Sequence, residues 1–152
     1  MTSYRRQGSC HCGAVRFTVE FPDETLPASR CNCTMCAMKG AVMSYVPLEA
    51  VTITQGADRL ACYSFNTGVA KHHFCPTCGI HLFHQARSDP DKYAINVATL
   101  ENVSPYEDFP LVPIANGQRH SKDNNGERLM AGLLRFEPSS DGDWGTLNNL
   151  KV

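Results

Sequence analysis

The sequence predicts a mainly β fold of small antiparallel sheets, and three observations carry that prediction. Residues 13–21 alternate cleanly, with Val15, Phe17, Val19 and Phe21 on one side and Arg16, Thr18 and Glu20 on the other, which is the period of a half-buried strand. Short runs rich in β-branched and aromatic residues then recur along the chain with turn residues between them. Neither an internal repeat nor a long amphipathic helix competes with that pattern.

The elements follow in order. Residues 1–8 carry positive charge with no apolar segment behind it, so no signal peptide is expected there. After the strand at 13–21, the stretch from Pro22 to Pro27 breaks the chain, which returns at Arg30 and Cys31. Further strands are expected at residues 41–46, 51–54, 60–65, 80–84 and 93–98. Pro47, Gln55-Gly56, Asn66-Thr67-Gly68 and Ser88-Asp89-Pro90 punctuate them. A final strand at 129–136 follows the turn-like Asp123-Asn124-Asn125-Gly126. Length favours one β domain over residues 1–137, and the polar composition of residues 138–152 predicts a mobile C-terminal tail.

Composition narrows the function classes. With 14 basic against 15 acidic residues the net charge is -1, and no lysine or arginine stripe offers nucleic acid an electrostatic footprint. No apolar stretch approaches the roughly 20 residues that span a bilayer. A cytoplasmic protein with no membrane association is expected.

Seven of the eight cysteines fall in three clusters: Cys10 and Cys12; Cys31, Cys33 and Cys36; and Cys75 and Cys78. A disulfide framework would need an oxidising compartment, whereas thiolates two or three residues apart close on one tetrahedral ion without moving the backbone, so the pattern reads as zinc. Seven thiolates make one closed site of four and one open site of three, although spacing does not reveal which clusters pair. His11, His72 or His73 as an eighth ligand would close both sites and make both structural. In an extended segment Cys10 and Cys12 share a face and His11 points away. Cys75-Pro76-Thr77-Cys78-Gly79 has the form of a tight zinc knuckle, and Cys31, Cys33 and Cys36 can wrap one ion as a local loop. Cys62 sits among apolar and aromatic residues and is expected as a small buried hydrophobe.

Other polar residues are weighed against these clusters. Only one of His72 and His73 can face the metal side of an extended segment, and His72 is the candidate proton carrier. His81 and His84 are expected as partly buried, hydrogen-bonded residues, and Lys39 as a solvated lysine, with offsetting thiolate charge or holding a substrate carboxylate as its alternative parts.

Gly8-Ser9-Cys10-His11-Cys12-Gly13-Ala14-Val15-Arg16-Phe17, then Cys31-Asn32-Cys33-Thr34-Met35-Cys36, then Phe74-Cys75-Pro76-Thr77-Cys78-Gly79, resembles the glutathione-dependent formaldehyde-activating enzyme family. Residues 63–67, His72, Phe74-Cys75 and Arg87-Ser88-Asp89-Pro90 are similar to the branch that contains centromere protein V. The resemblance implies an Mss4-like fold stapled by two zinc ions. Cys10, Cys12, Cys75 and Cys78 would hold the structural ion, and Cys31, Cys33 and Cys36 the open, catalytic-type one. It further implies a carbon-sulfur lyase that joins glutathione, or a similar small thiol, to formaldehyde or a related carbonyl compound. A non-catalytic zinc- or thiol-binding module and a zinc-stapled protein-interaction domain are the alternatives. The chain departs from the family pattern at Asn116-Gly117-Gln118-Arg119-His120 and at Asn96-Val97-Ala98-Thr99-Leu100.

Overall fold

The computed structural model describes residues 3–139, so the expected tail lies, from residue 140 on, outside the described residues. Among the described residues eleven strands form three small sheets, and one six-residue helix interrupts them. The first sheet has the order β1-β2-β5, from Tyr4–Ser9, Arg16–Phe21 and Val51–Gln55. The second has the order β4-β9-β8-β7-β6, from Met43–Pro47, Lys92–Asn96, His81–Gln85, Lys71–Phe74 and Ala61–Tyr63. In the third, β11 (Met130–Arg135) pairs with β10 (Leu111–Ala115), which pairs with the two-residue β3 (Arg30–Cys31). The fold is mainly β and antiparallel as predicted, with the β3–β10 pair a parallel exception. No helix among the described residues is long and apolar enough to cross a membrane.

The alternation read in the sequence is the core itself. Val15, Phe17, Val19 and Phe21 are all buried and meet Leu82, Phe83 and Ile95 of the five-stranded sheet. Phe17 meets Phe83 edge-on with ring centroids 5.5 Å apart, the arrangement that the ring quadrupoles favour. Burying a side chain of this size removes enough apolar surface to stabilise by about 1.5–3 kcal/mol. This core therefore fixes how the first sheet lies on the second.

The expected strand at 13–21 begins only at Arg16, because Cys10 to Gly13 form a turn in which the Gly13 amide donates to the Cys10 carbonyl at 3.1 Å. The local loop expected of Cys31, Cys33 and Cys36 runs from Thr34 into the helix α1 (Thr34–Lys39). Its first turn is capped by Cys33, whose Sγ accepts the Cys36 amide. Cys62 is exposed rather than buried. It lies on β6, a three-residue strand at the sheet edge with one neighbouring strand only.

Candidate metal centres and the cavity beside one of them

The four thiols Cys10, Cys12, Cys75 and Cys78 come together, their Sγ atoms within 4.8 Å of one another. A turn brings Cys10 and Cys12 to one point, not the extended segment expected. The second pair sits on the tight turn between β7 and β8, where the Gly79 amide closes on the Cys75 carbonyl at 2.7 Å. Gly79 adopts a φ of 77°, a conformation open to glycine without steric cost. Sγ separations are 3.6 Å for Cys10–Cys12 and 3.7 Å for Cys12–Cys75. Four sulfurs bonded at about 2.3 Å to a tetrahedral ion would stand about 3.8 Å apart, so the group fits zinc without rearrangement. Amide hydrogen bonds hold the Cys75 thiol below its ordinary pKa and bring Cys78 down to about 6.

The three thiols Cys31, Cys33 and Cys36 form the other group, spanning the end of β3 and the first turn of α1. Here too the backbone donates to sulfur: the Cys33 amide to Cys31 and the Cys36 amide to Cys33, each at 3.4 Å. Hydrogen bonds from Cys31 and Cys36, helped by the amides of Cys36 and Met35, push the Cys33 thiol strongly down. The same contacts, seen from the other end, push Cys36 up. These contacts favour the thiolate form of Cys33, and a cation would favour it at the other two. Gly117 closes over this group, and a Cβ there would collide with Cys31 Sγ and the Cys33 backbone. No histidine belongs to either thiol group among the described residues, and His11 is exposed.

A cavity of about 640 Å³ opens beside the three thiols. Tyr45, His72 and His84 line it from the five-stranded sheet, Phe65 from the connection between β6 and β7, and Ala115 at the end of β10 with residues 116–121 of the connection that follows. The departing segment 116–120 is therefore cavity wall. The other departing segment is not: Val97 and Leu100 are core residues, and the Glu101 amide beyond them donates to Gln7 of β1. Across the rim, Arg87 makes a bidentate pair with Asp123 at 2.7 and 2.8 Å, and Arg128 another with Asp89 at 3.1 and 3.2 Å.

His72 and His73 point to opposite sides of β7. His72 lines the cavity, while His73 packs on Phe83 and Tyr93 with centroids 5.3 and 6.0 Å away. Lys39, expected to be solvated, is half-buried because α1 lays it against β7, and its Nζ reaches His72 Nδ1 at 2.7 Å. Burial lowers Lys39 to about 8, against the pull of the Cys36, Cys33 and Cys31 thiolates. Burial also lowers His72 to about 4, with the Lys39 charge adding to it. His81 and His84 are well shielded, but the hydrogen bonds expected of them are missing: both ring nitrogens of His81 and Nδ1 of His84 are buried without a partner. Tyr63 and Phe65 extend the aromatic wall outward, Phe65 stacking on His72 at 5.8 Å. Neither the Lys39–His72 contact nor the Gly117 cover had a local sequence signal, since each joins segments far apart in the chain.

The family model for glutathione-dependent formaldehyde-activating enzyme matches residues 5–112. A curated protein of Halomonas elongata is 35% identical over 85 residues, which is 51% of this chain and 54% of that one. One of Emericella nidulans is 30% identical over 78 residues, 49% of this chain and 39% of that one. Both are named "Putative glutathione-dependent formaldehyde-activating enzyme". The chain spans about half the length, or less, of the curated relatives it matches. The crystal structure of a Rhodobacter sphaeroides protein is 44% identical with a TM-score of 0.67, covering 71% of this chain and 98% of that one.

Proposed function

We propose a function from the premise that this chain belongs to the glutathione-dependent formaldehyde-activating enzyme family: it joins a small thiol to a small carbonyl compound in the cavity beside Cys31, Cys33 and Cys36. The comparisons reach the family and do not separate its branches. Glutathione and formaldehyde are the pair the relatives' names supply, and the product would be S-hydroxymethylglutathione. The single observation that carries the reading is a three-thiol group, with room for a further ligand, opening onto a cavity of about 640 Å³. Zinc suits both thiol groups by donor chemistry, and two ions are proposed, a structural one on Cys10, Cys12, Cys75 and Cys78 and an open one on Cys31, Cys33 and Cys36. A zinc ion with three thiolate ligands would lower the pKa of an incoming thiol.

In the reaction the thiol sulfur forms a bond to the carbonyl carbon, the carbon–oxygen π pair moves onto oxygen, and the thiol proton ends on that oxygen. The chain's own part is to bind, orient and hold the proton. Lys39, lowered to about 8 by burial, is a proton holder matched to neutral pH. His72, the proton carrier expected from sequence, is a poor base at neutral pH with its pKa lowered to about 4, and the proposal makes it the residue that fixes the Lys39 amine. Phe65 and Tyr45 exclude water from one side, and Arg119 on the rim supplies a cation for a substrate carboxylate.

Glutathione and formaldehyde also combine without a catalyst, so the test is a rate. Exchange of 13C-labelled formaldehyde between free and glutathione-bound pools, followed by NMR, should be faster with the protein than without it. Cys33→Ser should return the rate to background and Lys39→Gln should lower it. A wild-type rate equal to background, in protein shown to hold its metal, would overturn the proposal.

A further inference from the structure

Three histidine rings meet on the cavity face of the five-stranded sheet, apart from both thiol groups. His72 and His84 are cross-strand partners on β7 and β8, with ring centroids 4.9 Å apart. His81 joins them through an irregularity in the pairing. Phe74 stands opposite His81 and His73 opposite Phe83, so Leu82 is one residue too many for the ladder. Residues 81 and 84 of a regular strand would point to opposite faces. The extra residue puts Leu82 with Phe83 in the core and swings His81 onto the face of His84, where their centroids are 5.3 Å apart.

The rings arrive there without the partners that buried nitrogens need. Among the described residues seven buried side-chain nitrogen or oxygen atoms lack a hydrogen bond, and four of them are on these three rings: His72 Nε2, His81 Nδ1, His81 Nε2 and His84 Nδ1. His72 and His84 are 4% and 3% exposed, so solvent does not substitute. Such concentrated orphan nitrogens ask for a ligand.

We propose that His72, His81 and His84 form a third metal position, for a divalent first-row transition ion such as zinc or cobalt, with its open side toward the cavity. One nitrogen from each ring lies within 4.8 Å of the others. A shift of each ring by less than about 1 Å reaches the metal–nitrogen distance of about 2.0–2.1 Å. Three imidazoles and no carboxylate make a set suited to zinc, cobalt, nickel or copper, not to magnesium or calcium. Burial keeps the rings neutral with their lone pairs free, His84 lowered to about 3 and His72 to about 4. Lys39 supplies the outer contact a ligating histidine takes: as a neutral amine it accepts Nδ1–H of His72 and leaves Nε2 for the ion. His72 then serves as a ligand, and the neutral Lys39 amine holds its ring through Nδ1.

The full chain, loaded with zinc at its thiol groups, is dialysed against excess cobalt and its metals are counted. One further equivalent should bind, with visible absorption typical of nitrogen-bound cobalt. His81→Gln and His84→Gln should each weaken this uptake by about tenfold or more, with the thiol-bound zinc content unchanged as the check on folding. His73→Gln, on the other face of β7, should bind as wild type does. Should His84→Gln fail that check, the half-buried His81 decides the matter alone. No third equivalent in the wild type, or uptake retained in folded His81→Gln, overturns the proposal. Neither result bears on the carbon–sulfur reaction, which uses the thiol group, so the two proposals fail separately.

Discussion

Gly117 shows how much a single side chain can matter here. The chain passes so near the three thiols that a methyl group would meet Cys31 Sγ and the backbone of Cys33. Neither neighbour can yield without opening the thiol group, since both are in it. Gly117→Ala should therefore lower the metal affinity of the three-thiol group by about tenfold or more, with the four-thiol group unaffected, as stepwise chelation with a zinc indicator would show. Equal loss from both groups would sink the argument. The buried histidines make a second, thermodynamic case. His81, His84 and His72 are lowered by burial to about 2, 3 and 4, and the unfolded chain titrates them near 6.5. Between those values the unfolded state binds more protons, so stability is full above about pH 6.5 and falls as pH drops toward 4. At pH 5 well-buried His72 and His84 each contribute about 2 kcal/mol of loss, and half-buried His81 less. Denaturant midpoints against pH, without added metal, should show a shallower decline for His84→Leu than for wild type. Parallel curves would mean that His84 charges freely in the folded chain.

At the scale of elements, β2 was legible because one of its faces is fully buried and the other is not: the alternation Val15, Phe17, Val19, Phe21 is the core contact. Four strands were not legible: β3, at two residues, is too short to show a period, and the other three were hidden for different reasons. β1 is Tyr-Arg-Arg-Gln-Gly-Ser, an edge strand too polar to announce itself, and β10 contains Pro113, which reads as a breaker. β7 is Lys-His-His-Phe, whose polar His72 faces a cavity instead of an apolar layer. Helix α1, at six residues, is below the length at which a 3.6-residue period shows, and it stands because Cys33 and Gly40 cap it. The cysteine spacings signalled the chemistry, while His72 and Gly117 reach the three thiols from segments far along the chain and left no local trace. These placements separate two zinc roles. Cys10 and Cys12 follow β1 in the first sheet and Cys75 and Cys78 join β7 to β8 in the second, so an ion on these four staples sheet to sheet. Cys31, Cys33 and Cys36 close on themselves. Cys75→Ser should then destabilise the chain on the order of several kcal/mol. Cys33→Ser should lose one zinc with little change in midpoint, the more so because serine replaces cysteine well as a helix N-cap. Similar midpoints for the two variants would contradict this division.

For the whole molecule, the question is what keeps the cavity walls in register. One wall belongs to the five-stranded sheet and the other to the connection between β10 and β11, and two bidentate pairs cross between them: Arg87 with Asp123, and Arg128 with Asp89. Exposed ion pairs contribute about 0–1 kcal/mol each, so these clamps are poor sources of global stability. The two are not equal, however. Asp123 is 61% exposed and can be hydrated when its partner is removed, whereas Asp89 is 12% exposed and is left with Ser88 and with Lys92 at 3.5 Å. Arg87→Ala should leave the thermal midpoint almost unchanged, while Arg128→Ala should cost about 1–3 kcal/mol through the stranded carboxylate. Both should widen the cavity mouth and weaken thiol binding, because these two pairs join the walls at the rim. The exchange Arg87→Asp with Asp123→Arg restores the pair with its charges reversed. Calorimetric affinity for glutathione should fall in Arg87→Ala and recover in that double variant at low salt, with the recovery shrinking as salt rises. If affinity in Arg87→Ala matches wild type, the pair is only a surface ion pair and the register of the walls is set by the core alone.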